Sequence, residues 1–137
     1  MKVEDCIFFQ LAKTSQAATR FWGQQVARFN VTAVQAMVLN FLFDQDKVPS
    51  HRLGERTRLD SATLTGILDR LETMGLVERK PHPEDRRAVL VCLTPKGKKL
   101  AGELRKTMEQ ANREFLQTLT AKEEAAFKSL LNKVRAR

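Results

Sequence analysis

The stretch from Ser50 to Leu93 constrains the fold of this chain more than any other part of it. It predicts a short helix, a turn, a second helix and then two strands joined by a polar, basic loop. In the second helix, apolar side chains recur three or four positions apart, at Leu64, Ile67, Leu68, Leu71 and Met74. Gly75 follows as the residue type that commonly ends a helix. The stretch therefore predicts a helix-turn-helix followed by a β-hairpin.

The opposite face of the second helix carries small and polar residues, namely Ala62, Thr65, Gly66, Asp69 and Thr73, with Ser61, Thr63 and Arg70 at its edges. Small residues let a helix lie close to base edges in a major groove, where hydroxyls can form hydrogen bonds and arginine can contact guanine or phosphate. At the end of the hairpin loop, Arg86 and Arg87 are placed to reach a DNA backbone or a minor groove. This pattern predicts a winged helix-turn-helix that binds duplex DNA. The alternative is a winged helix used for protein contacts.

The charge balance favours DNA as the partner. The chain has 137 residues, with 24 Lys and Arg against 16 Asp and Glu, which gives a formal net charge of +8 at pH 7. Such an excess indicates a polyanionic partner, either nucleic acid or an acidic membrane surface. No apolar run is long enough to span a bilayer, and Glu4 and Asp5 stand where a signal peptide would need a basic and then apolar start. We therefore expect a cytoplasmic protein that binds no membrane.

The segments before the helix-turn-helix predict two helices. Apolar residues at near-helical spacing run from Asp5 to Phe29 without Pro, which predicts one helix on the order of 37 Å long. Such a helix is too long for one small core to cover, so a second subunit is its natural partner. Thr32 is expected to cap a second, apolar and buried helix that ends near Phe43, followed by a polar connection.

The segment after the hairpin predicts two more helices. Thr94-Pro95 starts a helix that is expected to end near Thr118, and Thr120 and Glu123 form a capping box for the last helix. The expected fold is mainly α with a small β wing. Its winged helix-turn-helix domain comprises residues 32–94, and its helical dimerisation region comprises residues 1–31 and 95–137.

Catalytic and metal-binding patterns are absent from the sequence. His51 and His82 are the only histidines, and Cys6 and Cys92 are far apart and lack metal-ligand spacing. There is no Gly-rich phosphate loop and no grouping of Ser, His and Asp that this fold would bring together. We therefore expect neither enzyme activity nor a metal or cofactor.

Several ordered segments resemble a known family. They are Val31-Thr32-Ala33-Val34-Gln35, Leu59–Thr65, Leu68–Glu72, Gly75–Arg79, Asp85-Arg86-Arg87 and Leu93–Gly97. Each is a weak signal alone, but in this order and at this spacing they resemble bacterial transcription regulators of the MarR (multiple antibiotic resistance regulator) family.

The resemblance implies a homodimer that binds a pseudo-palindromic operator, with the helix from Ser61 in the major groove and the wing in the minor groove. It implies that Asp85 braces the wing, that Arg87 reaches DNA and that Arg70 lies near Asp85. Gly66 departs from the family pattern, because many members carry a larger residue there, often Arg. Most members repress and are released by a small ligand or an oxidant, so we expect a ligand-responsive repressor.

Two groups of residues could bind an effector. Trp22, with Phe8 and Phe21 nearby, could line a pocket, although these rings also fit a dimer core. One of several cations could hold a carboxylate, and each of them also fits an ordinary charged surface: Lys13, Arg20, His51 and Arg52. The family supplies small aromatic carboxylates, phenols and acyl thioesters as effector classes.

Cys6 offers an alternative, a regulator that responds to thiol oxidation or peroxide. Organic-hydroperoxide regulators within the family sense peroxide through a cysteine early in the first helix, supported by tyrosines. Counted back from Thr32, Cys6 lies too early for that position, Phe8 stands in the expected place, and the chain contains no Tyr. Cys92 lies in a predicted strand, where a structural or incidental thiol is expected.

Overall fold

The computed structural model describes residues 1–136, which contain six α-helices and one small sheet. The helices are α1 (Ile7–Val26), α2 (Ala33–Asp44), α3 (Ser50–Thr57), α4 (Ser61–Thr73), α5 (Pro95–Phe115) and α6 (Ala121–Arg135). The strands are β1 (Val48–Pro49), β2 (Val77–Pro81) and β3 (Val89–Leu93). This arrangement confirms the predicted fold class, mainly α with a small β wing. Arg137, the last residue of the predicted dimerisation region, lies outside the described residues.

Side-chain caps set where several helices begin. At α2, Thr32 Oγ1 accepts from the Gln35 backbone N–H at 3.2 Å, while Gln35 Oε1 accepts from the Thr32 N–H at 3.0 Å. Thr120 and Glu123 form the same reciprocal pair at α6. Thr94-Pro95 starts α5, with the threonine as cap and the proline in the first helical position. These three predicted starts are confirmed.

The long N-terminal helix has short 3₁₀ turns at both ends, Val3–Asp5 and Ala27–Phe29. With α1 they cover most of the predicted helix. The chain then turns at Asn30, whose φ of +59° lies in the left-handed region that Asn tolerates. At the other end of the chain, α5 stops at Phe115 instead of the predicted Thr118, because the backbone already turns at Leu116.

The sheet is antiparallel, with the strand order β1–β3–β2. The hairpin of β2 and β3 confirms the predicted wing. β1 replaces the end of the predicted polar connection, and its Val48 and Pro49 pair with Val91 and Leu90. Two residues cannot show the alternation of a strand, so this element is recognisable only from its partner.

Burial does not alternate along β3. Val91–Leu93 are all buried, whereas Val89 is 40% exposed. Leu76, just before β2, is buried, whereas Glu78 is exposed. Asp46, just before β1, lies against the end of β3, where its Oδ1 accepts from the Leu93 backbone N–H at 2.8 Å.

One apolar core joins the end of α1 to α2, α3, α4, the sheet and the first half of α5. Its largest fully buried side chains include Leu39, Leu42, Leu53, Leu71 and Leu104. In α2, six residues are buried as expected, but other apolar side chains are 39% exposed or more, at Val34, Met37 and Phe43. Most of α1 and the whole of α6 lie outside this core, because α6 has no buried residue and α1 buries Val26 alone.

Three contacts join the residues just after α4 to the start of α5, and we call this region the α4–α5 joint. Thr94 Oγ1 donates to the Gly75 carbonyl at 2.6 Å, and Lys96 Nζ donates to the Met74 carbonyl at 3.0 Å. The backbone of Gly97 passes directly against the carbonyl of Leu76. The end of α4 is therefore held to the start of α5 by three adjacent contacts.

Among residues 1–136, no single helix is long and apolar enough to cross a membrane. The segment Ile7–Phe29 and α2 reach that length and composition only as a pair, which is bent by 76°.

Candidate DNA interface

The start of α4 is fixed by Asp60. Its Oδ1 accepts from the Thr63 backbone N–H at 2.8 Å, and its Oδ2 accepts from Thr63 Oγ1 at 2.8 Å. The backbone hydrogen bond from Thr63 is the main reason that the pKa of Asp60 lies below its ordinary value. The hydroxyl of Thr63 is therefore engaged within the helix start, although the residue itself is exposed.

The rest of this helix separates into two faces. Leu64, Ile67, Leu68 and Leu71 are buried in the core, as their spacing predicts. The opposite face exposes Ser61, Ala62, Thr65 and Gly66, and the space around the α-carbon of Gly66 is open. This face carries small side chains, so a DNA groove could approach the helix closely.

Arg79 on β2 holds the second half of α4. Its Nε donates to Glu72 Oε2 at 3.3 Å, its Nη2 donates to Glu72 Oε1 at 3.4 Å, and Nη2 also donates to Asp69 Oδ1. These hydrogen bonds, first to Glu72 and then to Asp69, raise the pKa of Arg79 above its ordinary value. The hydrogen bond from Arg79 likewise lowers the pKa of Glu72. Arg79 thus holds α4 against β2, the strand that leads into the wing.

The wing is the loop 82–88 between β2 and β3. Asp85 Oδ1 accepts from the Arg87 backbone N–H at 2.9 Å, and the Asp85 carbonyl accepts from the Ala88 N–H at 3.1 Å. The loop is closed by the His82 N–H, which donates to the Ala88 carbonyl at 3.1 Å. Arg86 is exposed like Arg87, and neither guanidinium has a hydrogen bond or ion pair within residues 1–136. The loop therefore presents two unneutralised cations.

Arg70 is exposed in the last turns of α4. It lines a cleft between α4 and the start of α2, together with Asn30, Thr32 and Gln35. In the described part of the chain, no hydrogen bond or ion pair joins Arg70 to Asp85, which bonds within its own loop. The family resemblance implies that Arg70 lies near Asp85, but in this part of the chain the two side chains form no hydrogen bond or ion pair with each other.

An apolar cavity of about 280 Å³ lies between α1, α2, α5 and α6. It is lined mainly by aromatic and aliphatic side chains, with Lys128 and Asn112 as its polar members: Ala18, Phe21, Trp22, Met37, Ala111, Asn112, Phe115, Leu116, Phe127, Lys128 and Leu131. Trp22 Nε1 donates to the Ala33 carbonyl at 3.0 Å, so its indole is held in a fixed orientation.

The other candidate effector residues lie elsewhere. Phe8 is 77% exposed and outside this cavity. The expectation that it lies near Trp22 is wrong, because fourteen residues of helix separate the two by about 21 Å. Lys13 and Arg20 are exposed on α1, and Arg52 is exposed on α3. His51 lines a different cleft between α3 and α4, beside Ser61 and Thr65.

Both cysteines are reduced and occupy different environments. Cys6 is half-buried at the residue before α1. Cys92 is buried on β3, and this burial raises the pKa of its thiol. Cys92 is therefore protonated and shielded at neutral pH, which fits an incidental structural thiol.

Comparison with known proteins identifies the family. The model of the MarR family matches residues 31–89, and the chain is 33% identical over 124 residues to the HTH-type transcriptional repressor NicR of Pseudomonas putida. That alignment covers 90% of this chain and 78% of NicR. This chain belongs to the MarR family. Its resemblance to MarR-family transcription regulators is thereby confirmed.

A second MarR-family relative is the organic hydroperoxide resistance transcriptional regulator of Bacillus subtilis, which is 36% identical over 97 residues. The alignment covers 71% of this chain and 66% of that relative, just under two thirds of its length. Both curated relatives are transcription regulators rather than enzymes.

Solved MarR-family structures share the fold. A mutant MarR from E. coli, complexed with operator DNA, superposes with a TM-score of 0.85 at 31% identity and covers 92% of this chain and 91% of its own. Bordetella bronchiseptica BpsR, whose DNA binding is regulated by 6-hydroxynicotinic acid, superposes with a TM-score of 0.92 at 29% identity, covering 100% of this chain and 98% of its own. The fold is therefore that of regulators whose DNA binding responds to small molecules in at least one case.

Sequence reasoning missed the contacts between Arg79 and α4. The residue is part of the segment Gly75–Arg79 that carries the family resemblance, but its partners lie seven and ten positions away on another element. The two carboxylates on the exposed face of α4, Asp69 and Glu72, are the signal that could have found it, because carboxylates facing DNA need a cation.

Proposed function

We propose that this chain is a sequence-specific transcription repressor that binds a pseudo-palindromic operator as a homodimer. The exposed, small-residue face of α4 carries this proposal, because it lies beside a basic wing on a chain with a net charge of +8. In the proposed complex, α4 enters the major groove and the wing reaches the flanking minor groove.

The proposed DNA contacts divide into two kinds. Ser61 and Thr65 present hydroxyls to base edges, while Ala62 and Gly66 allow close approach. Thr63 acts mainly through its backbone and methyl group, since its hydroxyl donates to Asp60. Arg70, Arg86 and Arg87 supply charge for the phosphates and the minor groove, and the hydrogen bond to Asp85 supports its bracing role.

Homodimer formation is supported by apolar residues that one copy of the chain leaves uncovered. On α1 and α6, large side chains are between 39% and 77% exposed, at Ile7, Phe8, Phe9, Leu11, Phe127, Leu130 and Val134. Ile7 and Leu11 of α1 line one groove with Phe127 of α6, and an exposed apolar groove of this kind marks an interface. Residues 1–31 and 95–137 would form this dimerisation region, and residues 32–94 would form the DNA-binding domain.

The cavity beside Trp22 is the proposed effector site. Its lining is largely apolar and aromatic, which favours a small aromatic ligand, and Lys128 can pair with a carboxylate. Lys128 Nζ now lies 2.9 Å from Glu124 Oε1, so a ligand carboxylate would compete with this exposed pair. BpsR responds to an aromatic hydroxy acid, 6-hydroxynicotinic acid, and an effector of that class is what we propose here.

The decisive experiment is a footprint of the purified protein on the DNA upstream of its own gene. We expect protection of a pseudo-palindrome whose half-sites lie about one helical turn apart, with affinity that falls steeply as salt rises. Arg87→Ala should weaken binding to every site, while Arg113→Ala, an exposed arginine on α5, serves as the matched control. Salt-independent binding, or no protected site in this DNA or in a genomic pool, would refute the proposal.

Peroxide provides the test of the alternative trigger. Cys6 is half-buried at the start of α1, and the relative from Bacillus subtilis is an organic hydroperoxide resistance regulator. Under the ligand hypothesis, small aromatic acids release the DNA and peroxide does not. Peroxide release that disappears in Cys6→Ser would establish the thiol-responsive alternative instead.

A further inference from the structure

Two carboxylates extend the exposed face of α4. Asp69 follows Thr65 by four positions and Glu72 follows it by seven, so the three side chains share one side of the helix. Phosphates would repel carboxylates on a helix that enters a DNA groove. A nearby cation is therefore needed to offset them.

Arg79 supplies that cation from the neighbouring strand. Its guanidinium bonds to Glu72 through both Nε and Nη2 and to Asp69 through Nη2. The arginine side chain is 27% exposed, whereas Asp69 and Glu72 are 57% and 44% exposed. The carboxylates thus face solvent, and the arginine is the most shielded member of the group.

From this geometry, and resting on the proposed DNA binding, we infer that Arg79 is a positioning residue of the DNA interface. It neutralises Asp69 and Glu72 on the face of α4 that approaches the phosphates. It acts through these carboxylates rather than by contacting DNA, since Nε and Nη2 are already engaged. Arg70, in contrast, has no ion pair within residues 1–136 and remains available to phosphate.

Lys80 provides a matched control. It is the next residue on the same strand, and its Nζ lies 3.4 Å from Glu78 Oε2. Lys80→Gln therefore removes the same formal charge one residue away without exposing a carboxylate on α4. An effect that depends on Arg79 alone separates neutralisation of α4 from a general loss of positive charge.

The test compares five proteins by fluorescence anisotropy on one footprinted duplex, at about 0.05 M and about 0.3 M salt. They are the parent, Arg79→Gln, Lys80→Gln, the double variant Asp69→Asn/Glu72→Gln, and the triple variant Asp69→Asn/Glu72→Gln/Arg79→Gln. Thermal melting of each protein verifies that it is folded at the temperature of the assay.

Arg79→Gln should weaken binding about five- to tenfold at the lower salt, and this loss should shrink at the higher salt because screening weakens the repulsion. The triple variant should recover the affinity of the parent, because no carboxylate remains to be neutralised. The double variant should bind as tightly as the parent or tighter, and Lys80→Gln should lose less than Arg79→Gln.

Three results would overturn the inference. The first is parental affinity in Arg79→Gln. The second is a triple variant as weak as Arg79→Gln, which would mean that Arg79 contacts DNA directly. The third is a double variant weaker than the parent, a result that does not depend on whether Arg79→Gln folds. If the parent itself bound no duplex in a salt-dependent way, the proposed function would fail first and the inference with it.

Discussion

A methyl group on the α-carbon of Gly97 would lie 1.9 Å from the carbonyl oxygen of Leu76 and 2.9 Å from its carbonyl carbon. Two backbone segments meet at this point, so no flexible side chain can move aside. The same oxygen accepts from the Thr94 N–H at 3.1 Å, which holds the start of α5 in place. Glycine is therefore required here by close approach of the backbone rather than by its dihedral angles.

Replacing Gly97 with Ala should lower the free energy of unfolding by about 3 kcal/mol or more, because the backbone must shift to admit a methyl group. Urea unfolding measures the change. Gly66→Ala is the matched control: its new methyl group would meet no atom within 4 Å, so helix propensity should stabilise the protein by up to about 1 kcal/mol. Equal, small effects at both positions would contradict the contact with Leu76.

Replacing Gly66 with Arg should tighten operator binding and add a preference for guanine. The position is exposed on the proposed DNA face and has open space around it, so a guanidinium can reach a base edge. A bidentate contact to guanine would discriminate against other bases by about 1–3 kcal/mol. Titrations against operators that differ at single base pairs provide the measurement, with Gly66→Ala as the control for helix stability. A uniform gain across all sequences would indicate a phosphate contact instead.

Asp60 gives the stability of α4 a dependence on pH. Because its pKa is lowered in the folded protein, the folded state binds fewer protons than the unfolded state, and the contribution of the cap is complete above a pH of about 4. That contribution is lost as the pH falls through the folded pKa. Thermal melts at pH values of about 6 to about 3 should therefore fall more steeply for the parent than for Asp60→Asn.

The asparagine variant is informative because Asn caps a helix about as well as Asp but does not titrate. The two proteins should melt at similar temperatures near neutral pH and diverge in slope only under acid conditions. Parallel curves throughout would show that the hydrogen bonds from Thr63 do not stabilise the charged form of Asp60.

Arg105 joins α5 to α2, and its removal should be costly. Its Nε donates to Asn40 Oδ1 at 3.1 Å, and its Nη2 donates to the Asn40 carbonyl at 3.0 Å and to Asp44 Oδ1 at 2.6 Å. Asn40 is 3% exposed, so Arg105→Ala leaves a buried oxygen without this donor and should cost about 2–3 kcal/mol. Chemical denaturation should show little change for Lys106→Ala, an exposed neighbour. Comparable losses in both variants would argue against the buried contact.

Leu130 tests the proposed dimer. It is 58% exposed on α6, and Leu130→Glu would place a charge in an apolar interface. We expect sedimentation velocity to show a shift toward monomer and footprinting to show loss of symmetric protection. Ala121→Glu introduces the same charge at the exposed start of the same helix and should leave the dimer intact. A dimeric Leu130→Glu protein would place the interface elsewhere.

What the sequence predicts depends on how far apart the interacting residues lie in the chain. The caps at Thr32, Thr94 and Thr120 involve residues three positions apart, and all three are predicted correctly. Asp46 reaches the Leu93 N–H across 47 positions, and no local pattern indicates that contact. The uninterrupted burial of Val91–Leu93 is likewise not indicated by any local pattern.

The same limit applies to the candidate site. The exposed face of α4 is predicted by helical spacing, because solvent and core sides alternate with a known period. Helical spacing does not predict which groups on that face are free to contact DNA. The Thr63 hydroxyl already donates to Asp60, and Asp69 already accepts from Arg79. Their roles in DNA binding remain predictions.

The α4–α5 joint couples the position of α4 to the orientation of α5. The helix has 21 residues and is therefore about 32 Å long, with the joint at its first turn and the cavity residues Ala111, Asn112 and Phe115 in its last turns. If a molecule seated in the cavity tilted this rod by about 5°, its opposite end would move by about 3 Å, close to the 3.4 Å rise between stacked bases. Because Thr94, Lys96 and Gly97 hold that end of α5 against the end of α4, a small tilt of α5 would move α4 by nearly the spacing of one base pair.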